Sequence, residues 1–168
     1  MGRKYAIIGE NMSLGTGYVL AVLRSAADKA TAAGELLLRR IEISQSGSTT
    51  SGMVRGELFT RDTAGTLTCT SQTPVALSPL GGPASGLSGN TAPVGGAARV
   101  GINSSADSGG AYTQKLPFNF NNLNGYLYIP TPEELITIPP ATVFGVRFLA
   151  APATTTGWTV SMIVEELA

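Results

Sequence analysis

GELLLRRIEISQSGSTTSGMVRGELFTR, residues 34–61, decides the fold class. Two apolar runs flank a polar hinge that extends from Ser44 to Gly52. In the first run Leu37, Ile41 and Ile43 fall on one parity, and Arg40, Glu42 and Ser44 on the other. In the second, Val54, Gly56 and Leu58 alternate with Met53, Arg55, Glu57 and Phe59. A period of two describes strands with one face in a core and one partly wet. No apolar stripe repeats at three and four, so a helix is not expected. Leu36-Leu37-Leu38 breaks the parity, which predicts either cover on both faces or a bulge at that end. The reading is a pair of long strands in the middle of a β-sandwich.

Working outward, residues 4–9 and Tyr18 to Leu23 are further strand candidates, with a turn at 10–13. Residues 25–34 are alanine-rich but short and without an apolar stripe, so a loop with at most one helical turn is expected. Thr66 to Ser71 reads as a Thr-rich strand. From Thr73 to Asn122 the composition shifts to Gly, Pro, Ser, Ala and Asn, with Ala97 to Ile102 as the one short strand candidate. Loops of that length are uncommon inside compact domains. Disorder usually brings high charge, and this segment has almost none. Residues 73–122 are therefore expected to form an extended arm ordered by lying on a neighbour, with a surface loop as the plainer alternative. Order returns at 124–129, and Pro130, Pro132, Pro139 and Pro140 bracket a short edge strand at 135–138. Residues 142–150 place Phe144, Val146 and Phe148 on one face. After a turn at 154–157, Trp158, Val160, Met162 and Val164 alternate with polar residues, so the last two segments read as a hairpin. Eight to ten strands and no reliable helix predict one all-β domain over residues 1–168. It is expected to be an antiparallel β-sandwich, with an N-terminal strand or arm at 1–17.

Composition narrows the function. The chain has 168 residues, only 13% charged, with zero net charge. That balance speaks against nucleic acid as a partner, which calls for a basic stripe. It also predicts a surface partly covered in an assembly. Residues 1–62 carry eight basic and six acidic side chains, a balance of +2. Residues 133–168 carry Arg147 against Glu133, Glu134, Glu165 and Glu166, a balance of −3. These two ends either pair within one fold or meet head to tail between subunits. No apolar run is long enough to span a membrane, and Glu10-Asn11 interrupts any secretory leader.

There is no histidine and one cysteine, Cys69. The usual general base, the commonest metal ligand and a thiolate zinc site are thereby lost. Cys69 reads as a buried strand residue. Gly15-Thr16-Gly17 is followed by Leu20 where a dinucleotide loop has glycine, so it reads as a turn. The pairs Glu133-Glu134 and Glu165-Glu166 could serve a glycosidase only if they converged, and neighbours on a strand point apart. Solvated charge is the expectation for both, and no cofactor or metal is expected. Tyr112, Phe118 and Phe120 end the long loop, spaced by polar residues, and are either core anchors or interface plugs. With Arg99 and Lys115, the only basic residues between 63 and 132, they form the candidate interface.

Several stretches together resemble the small jelly-roll cement or decoration proteins of tailed-bacteriophage capsids. They are 38–43 (LRRIEI), 54–60 (VRGELFT), 63–68 (TAGTLT), 73–79 (TPVALSP), 136–141 (ITIPPA), 146–152 (VRFLAAP) and 160–166 (VSMIVEE). The resemblance covers about 34–80 and 124–166; residues 80–122 depart from it. It implies a jelly roll on the capsid exterior, often a homotrimer, that reinforces joints between major capsid protein subunits without catalysis. The alternative is the receptor- or glycan-binding head of a tail or spike protein, which would need an exposed aromatic pocket, whereas Trp158 is expected in the core.

Overall fold

A computed structural model describes residues 2–78 and 83–167. The strands are β1 (Arg3–Met12), β2 (Val19–Arg24), β3 (Leu36–Gln45), β4 (Met53–Arg61), β5 (Leu67–Ser71), β6 (Val75–Ala76) and β7 (Ser88–Gly89). They continue with β8 (Arg99–Asp107), β9 (Tyr112–Asn121), β10 (Tyr126–Tyr128), β11 (Thr137–Ile138), β12 (Val143–Phe148) and β13 (Trp158–Glu166). A single 3-10 turn, Pro132–Glu134, is the only helical element among the described residues. The first sheet has the order β10-β3-β13-β1-β6, with β11 also pairing β3. The second has the order β5-β8-β2-β12-β4-β9, with β7 added in parallel beside β8. The other pairings are antiparallel, and the two sheets pack face to face as a sandwich.

The parity break in residues 36–38 is a bulge. Ile163 pairs with Arg40 and Val164 with Leu38, so Arg39 is an extra residue in β3. Before it Leu36 and Leu38 face the core; after it Ile41 and Ile43 do, and the switch in parity follows from that one residue. The organising strands β3 and β4 belong to different sheets, and the polar hinge between them carries the chain across the sandwich. The same correction applies to the last two long strands. β12 pairs β2 and β4, whereas β13 pairs β1 and β3, so they are not a hairpin. Alternation marks any half-buried strand, and residues 149–157 are long enough to change sheets rather than turn back.

The segment 73–122 is also corrected. Residues 99–121 form two long strands of the second sheet, β8 and β9, although Pro117 and the run of small residues hide them from a propensity reading. The described part of residues 73–98 lies on its own chain. The Tyr5 hydroxyl donates to the Pro83 carbonyl at 3.0 Å, and Leu87 and Val94 are buried. Likewise β1 runs on to Met12 through a bulge near Asn11, where a turn is expected from sequence.

The inter-sheet core is aromatic at its centre. Phe148 meets Trp158 edge-on at 4.7 Å, and Phe120 touches Phe118, Tyr126, Phe148 and Trp158 within 5.7–6.2 Å. The buried Trp158 indole N–H donates to the Thr154 carbonyl at 2.8 Å, as a buried indole requires. A second, smaller cluster lies on the other face of the second sheet, formed by Val19, Val22, Phe59, Leu67, Cys69, Val94 and Val143. Two cores explain the unbroken apolar run of β2: Leu20 and Leu23 serve one, Val19 and Val22 the other.

Candidate functional site

Five residues form the interface expected from sequence, and the fold scatters them. Phe118 and Phe120 are core residues, each 7% exposed, and Phe118 stacks on Tyr126 at 4.1 Å. They are therefore not free to plug a neighbour's pocket. Their polar neighbour Asn119 faces outward, which is the ordinary alternation of a strand. Arg99 is half-buried at the start of β8 and donates to the Ala92 carbonyl at 3.3 Å, while Arg24 donates to the Val94 carbonyl at 3.2 Å. Both arginines pin the 88–95 segment to the sheet. Lys115 is exposed and is the extra residue of a further bulge: Leu58 pairs with Leu116 and Phe59 with Gln114. It overhangs a cleft of about 550 Å³ between the sheets, floored by Phe144 and Ile138.

Tyr112 belongs to a polar cluster that sequence reading missed. Its hydroxyl donates to Asp107 Oδ2 at 2.5 Å, and Arg61 Nη2 reaches Asp107 Oδ1 at 2.9 Å. Arg61 also donates to the Gly109 carbonyl. The Arg147 guanidinium stacks 3.6 Å above the Tyr112 ring and pairs with Glu57 at 2.7 Å, and Gln114 donates to Glu57 Oε2 at 2.8 Å. Asp107 lies on the second strand of the sheet and Tyr112 on the sixth, so a flat sheet would separate them by ~19 Å. Their contact means that the sheet curls, and the cluster ties the curl shut.

Each charge in this cluster has a partner. Partial burial works against the Asp107 carboxylate, but the Tyr112 hydrogen bond and the Arg61 hydrogen bond and charge outweigh it and hold its pKa below the usual range. Burial, then the Asp107 hydrogen bond and charge, push the Tyr112 phenol up to about 12. Burial first, and the Asp107 charge next, push the Cys69 thiol up to about 12, so it is a structural thiol. None of these groups is poised to exchange a proton near neutrality, and the arrangement locks a fold.

The two glutamate pairs separate in the same way. Glu165 and Glu166 are buried, against the expectation of solvated charge. Arg39 holds Glu165 at 2.5 Å, while Glu166 accepts from the Ser85 hydroxyl and from the Gly86 N–H at 2.9 Å. They point apart as adjacent strand residues must, so they do not converge on a substrate. Glu133 and Glu134 stay exposed on the 3-10 turn. Among the described residues no three His, Cys, Asp or Glu side chains gather where they could hold a metal ion, and no helix is long and apolar enough to cross a membrane.

What the surface offers is apolar. At one edge of the first sheet Leu127 is 55% and Ile129 61% exposed, with Leu123 and Met53 close by, since Met53 pairs with Asn121. At the opposite edge Val75 and Leu77 are exposed beside Arg3 and Lys4. Scattered exposed apolar residues are normal, but Leu127 on β10 and Val75 on β6 lie on the two margins of one sheet that are unpaired among the described residues. These margins are the candidate docking surface. Comparison of the chain with protein-family models, curated proteins and solved structures gives no match.

Proposed function

We propose that this chain is a non-enzymatic structural protein of a tailed-phage virion. In this reading it docks as a homotrimer on the capsid exterior, where it braces joints between major capsid protein subunits. One observation carries the reading: the exposed apolar margins of the first sheet, on a chain whose densest charged cluster pairs its charges internally. A binder needs surface that is better covered than wet, and an interface of roughly 1,600 Å² suffices for specific attachment. The strand order adds support. Eight of the strands, β1 to β4 and then β9, β10, β12 and β13, alternate between the sheets within each set of four, the crossing pattern of a jelly roll, with β5 and β8 added to the second sheet. Many identical sites on a shell would make the attachment strong even where each contact is modest.

The test has two parts. Light scattering of the purified chain should give the mass of three copies. Immunogold labelling of intact virions from the chain's source should decorate the shell exterior, and solubilised tails should stay unlabelled. A monomer in solution together with unlabelled shells would refute the proposal.

A further inference from the structure

The first sheet ends in two margins of opposite character. One is the β10 side, where β10 and β11 both border β3, Leu127 of β10 is exposed, and the excursion between them carries Ile129, Glu133 and Glu134 outward. Glu134 sits near Tyr128, whose phenol is raised first by burial and then by that charge. The other is the β6 side, where Val75 and Leu77 are exposed and Arg3 and Lys4 begin a cleft of about 580 Å³ that runs on across the sheet to Glu165 of β13 and Arg39 of β3. Three positive charges against one negative leave that cleft at +2.

The charge asymmetry of the sequence therefore has a place. Part of it is settled inside the fold, because Arg39 takes Glu165 and the 85–86 segment takes Glu166. Part is not: among the described residues Arg3, Lys4, Glu133 and Glu134 enter no ion pair, and neither do Glu10, Arg24, Asp28, Arg55 and Asp62 elsewhere on the chain. They do not pair within one chain. Three strands lie between β10 and β6, so the two margins are opposite edges of the first sheet. Lys115 lies beyond the acidic margin, at the inter-sheet cleft. We propose that the apolar, acidic β10 margin of one copy docks on the apolar, basic β6 margin of a second copy. This is a head-to-tail contact, which forms a closed ring when its rotation closes. The proposal rests on the homo-oligomeric part of the function above and names the surfaces that build it.

The experiment is charge reversal, read by light scattering and sedimentation velocity across a dilution series. Two double variants, Arg3→Glu with Lys4→Glu and Glu133→Lys with Glu134→Lys, each set like charges face to face. All four positions are exposed, so each variant should keep the wild-type circular dichroism and Trp158 emission. The expected result is a dissociation constant raised at least ~10-fold in each double variant. The chain carrying all four substitutions should reassemble, with affinity restored to within a few fold of wild type. Added salt should weaken the wild-type assembly, since the contacting charges are solvent-accessible at the rim. Double variants that assemble as wild type does would overturn these margins as the contact while the homotrimer stands. A wild-type chain that is monomeric at every concentration would overturn both.

Discussion

Phe120→Ala separates a core residue from an interface plug. Phe120 is 7% exposed and packs against four rings: Phe118, Tyr126, Phe148 and Trp158. Removing a buried Phe costs about 3–5 kcal/mol, from lost transfer energy and the cavity left behind. The upper half of that range is expected here. The surrounding rings come from β9, β10, β12 and β13, split between the two sheets, so they cannot close on the gap without moving strands. The ring contacts themselves are worth roughly 0.5–1.5 kcal/mol each beyond area burial. We therefore expect a loss of about 4 kcal/mol. The assay is urea unfolding at fixed protein concentration, followed by the fluorescence of Trp158, which is fully buried and 6.2 Å from the Phe120 ring. With a slope of about 2 kcal/mol/M the midpoint should fall by about 2 M at unchanged slope. A loss under about 1 kcal/mol, with weakened self-association instead, would show that Phe120 faces a partner and that the packing argument is wrong.

Arg147→Met should destabilise by about 3 kcal/mol, because it strands the buried Glu57 carboxylate. The double variant with Glu57→Gln should recover most of that loss, and a double-mutant cycle by urea unfolding checks it. Tyr112 has a folded-state pKa raised from 10.0 to about 12. Its contribution is therefore complete below pH ~10 and is lost as pH rises toward 12; Tyr112→Phe should flatten the alkaline limb of a melting-temperature profile. Asp107 is depressed, so its contribution is present above the ordinary Asp range and is lost as pH falls through the lower folded value. Asp107→Asn should flatten the acid limb in the same measurement. Gly145→Ala should cost at least about 2 kcal/mol by overpacking. An added Cβ would come to 2.5 Å from the Ala21 carbonyl oxygen and 2.8 Å from the Phe59 ring, and the backbone contact has no room to give; thermal unfolding reads it directly.

Much of the fold is legible because period-two alternation is a local signal. The runs around Ile41, Leu58, Phe144 and Val160 announce strands without help from the rest of the chain. Sheet membership is not local. Residues 142–150 and 158–166 show the same alternation whether they form a hairpin or cross the sandwich, and only the length of 149–157 between them favours crossing. β9 is obscured differently: the alternation of Leu116, Phe118 and Phe120 is present, but Pro117 and the small residues before it argue against a strand. The polar cluster is illegible for a plain reason. Glu57 and Arg147 lie 90 residues apart, and Arg61 and Asp107 lie 46 apart. A buried ion pair needs two distant strands in register, and no spacing in the sequence encodes that. Only the outward parity of Glu57 and Arg61 beside Leu58 hinted that the second face of β4 had something to cover.

The edge strand β9 combines a bulge at Lys115 with Pro117, whose nitrogen has no proton to offer. A row of main-chain donors and acceptors is a template that accepts almost any extended peptide. Here that template is interrupted in the middle of a ten-residue edge strand. Many copies can therefore be crowded side by side on this flank without their sheets fusing into a fibre. A binder there meets a broken main-chain ladder, so side chains, where shape and charge can discriminate, carry more of the contact. A change as small as Pro117→Val would trade that discrimination for stickiness.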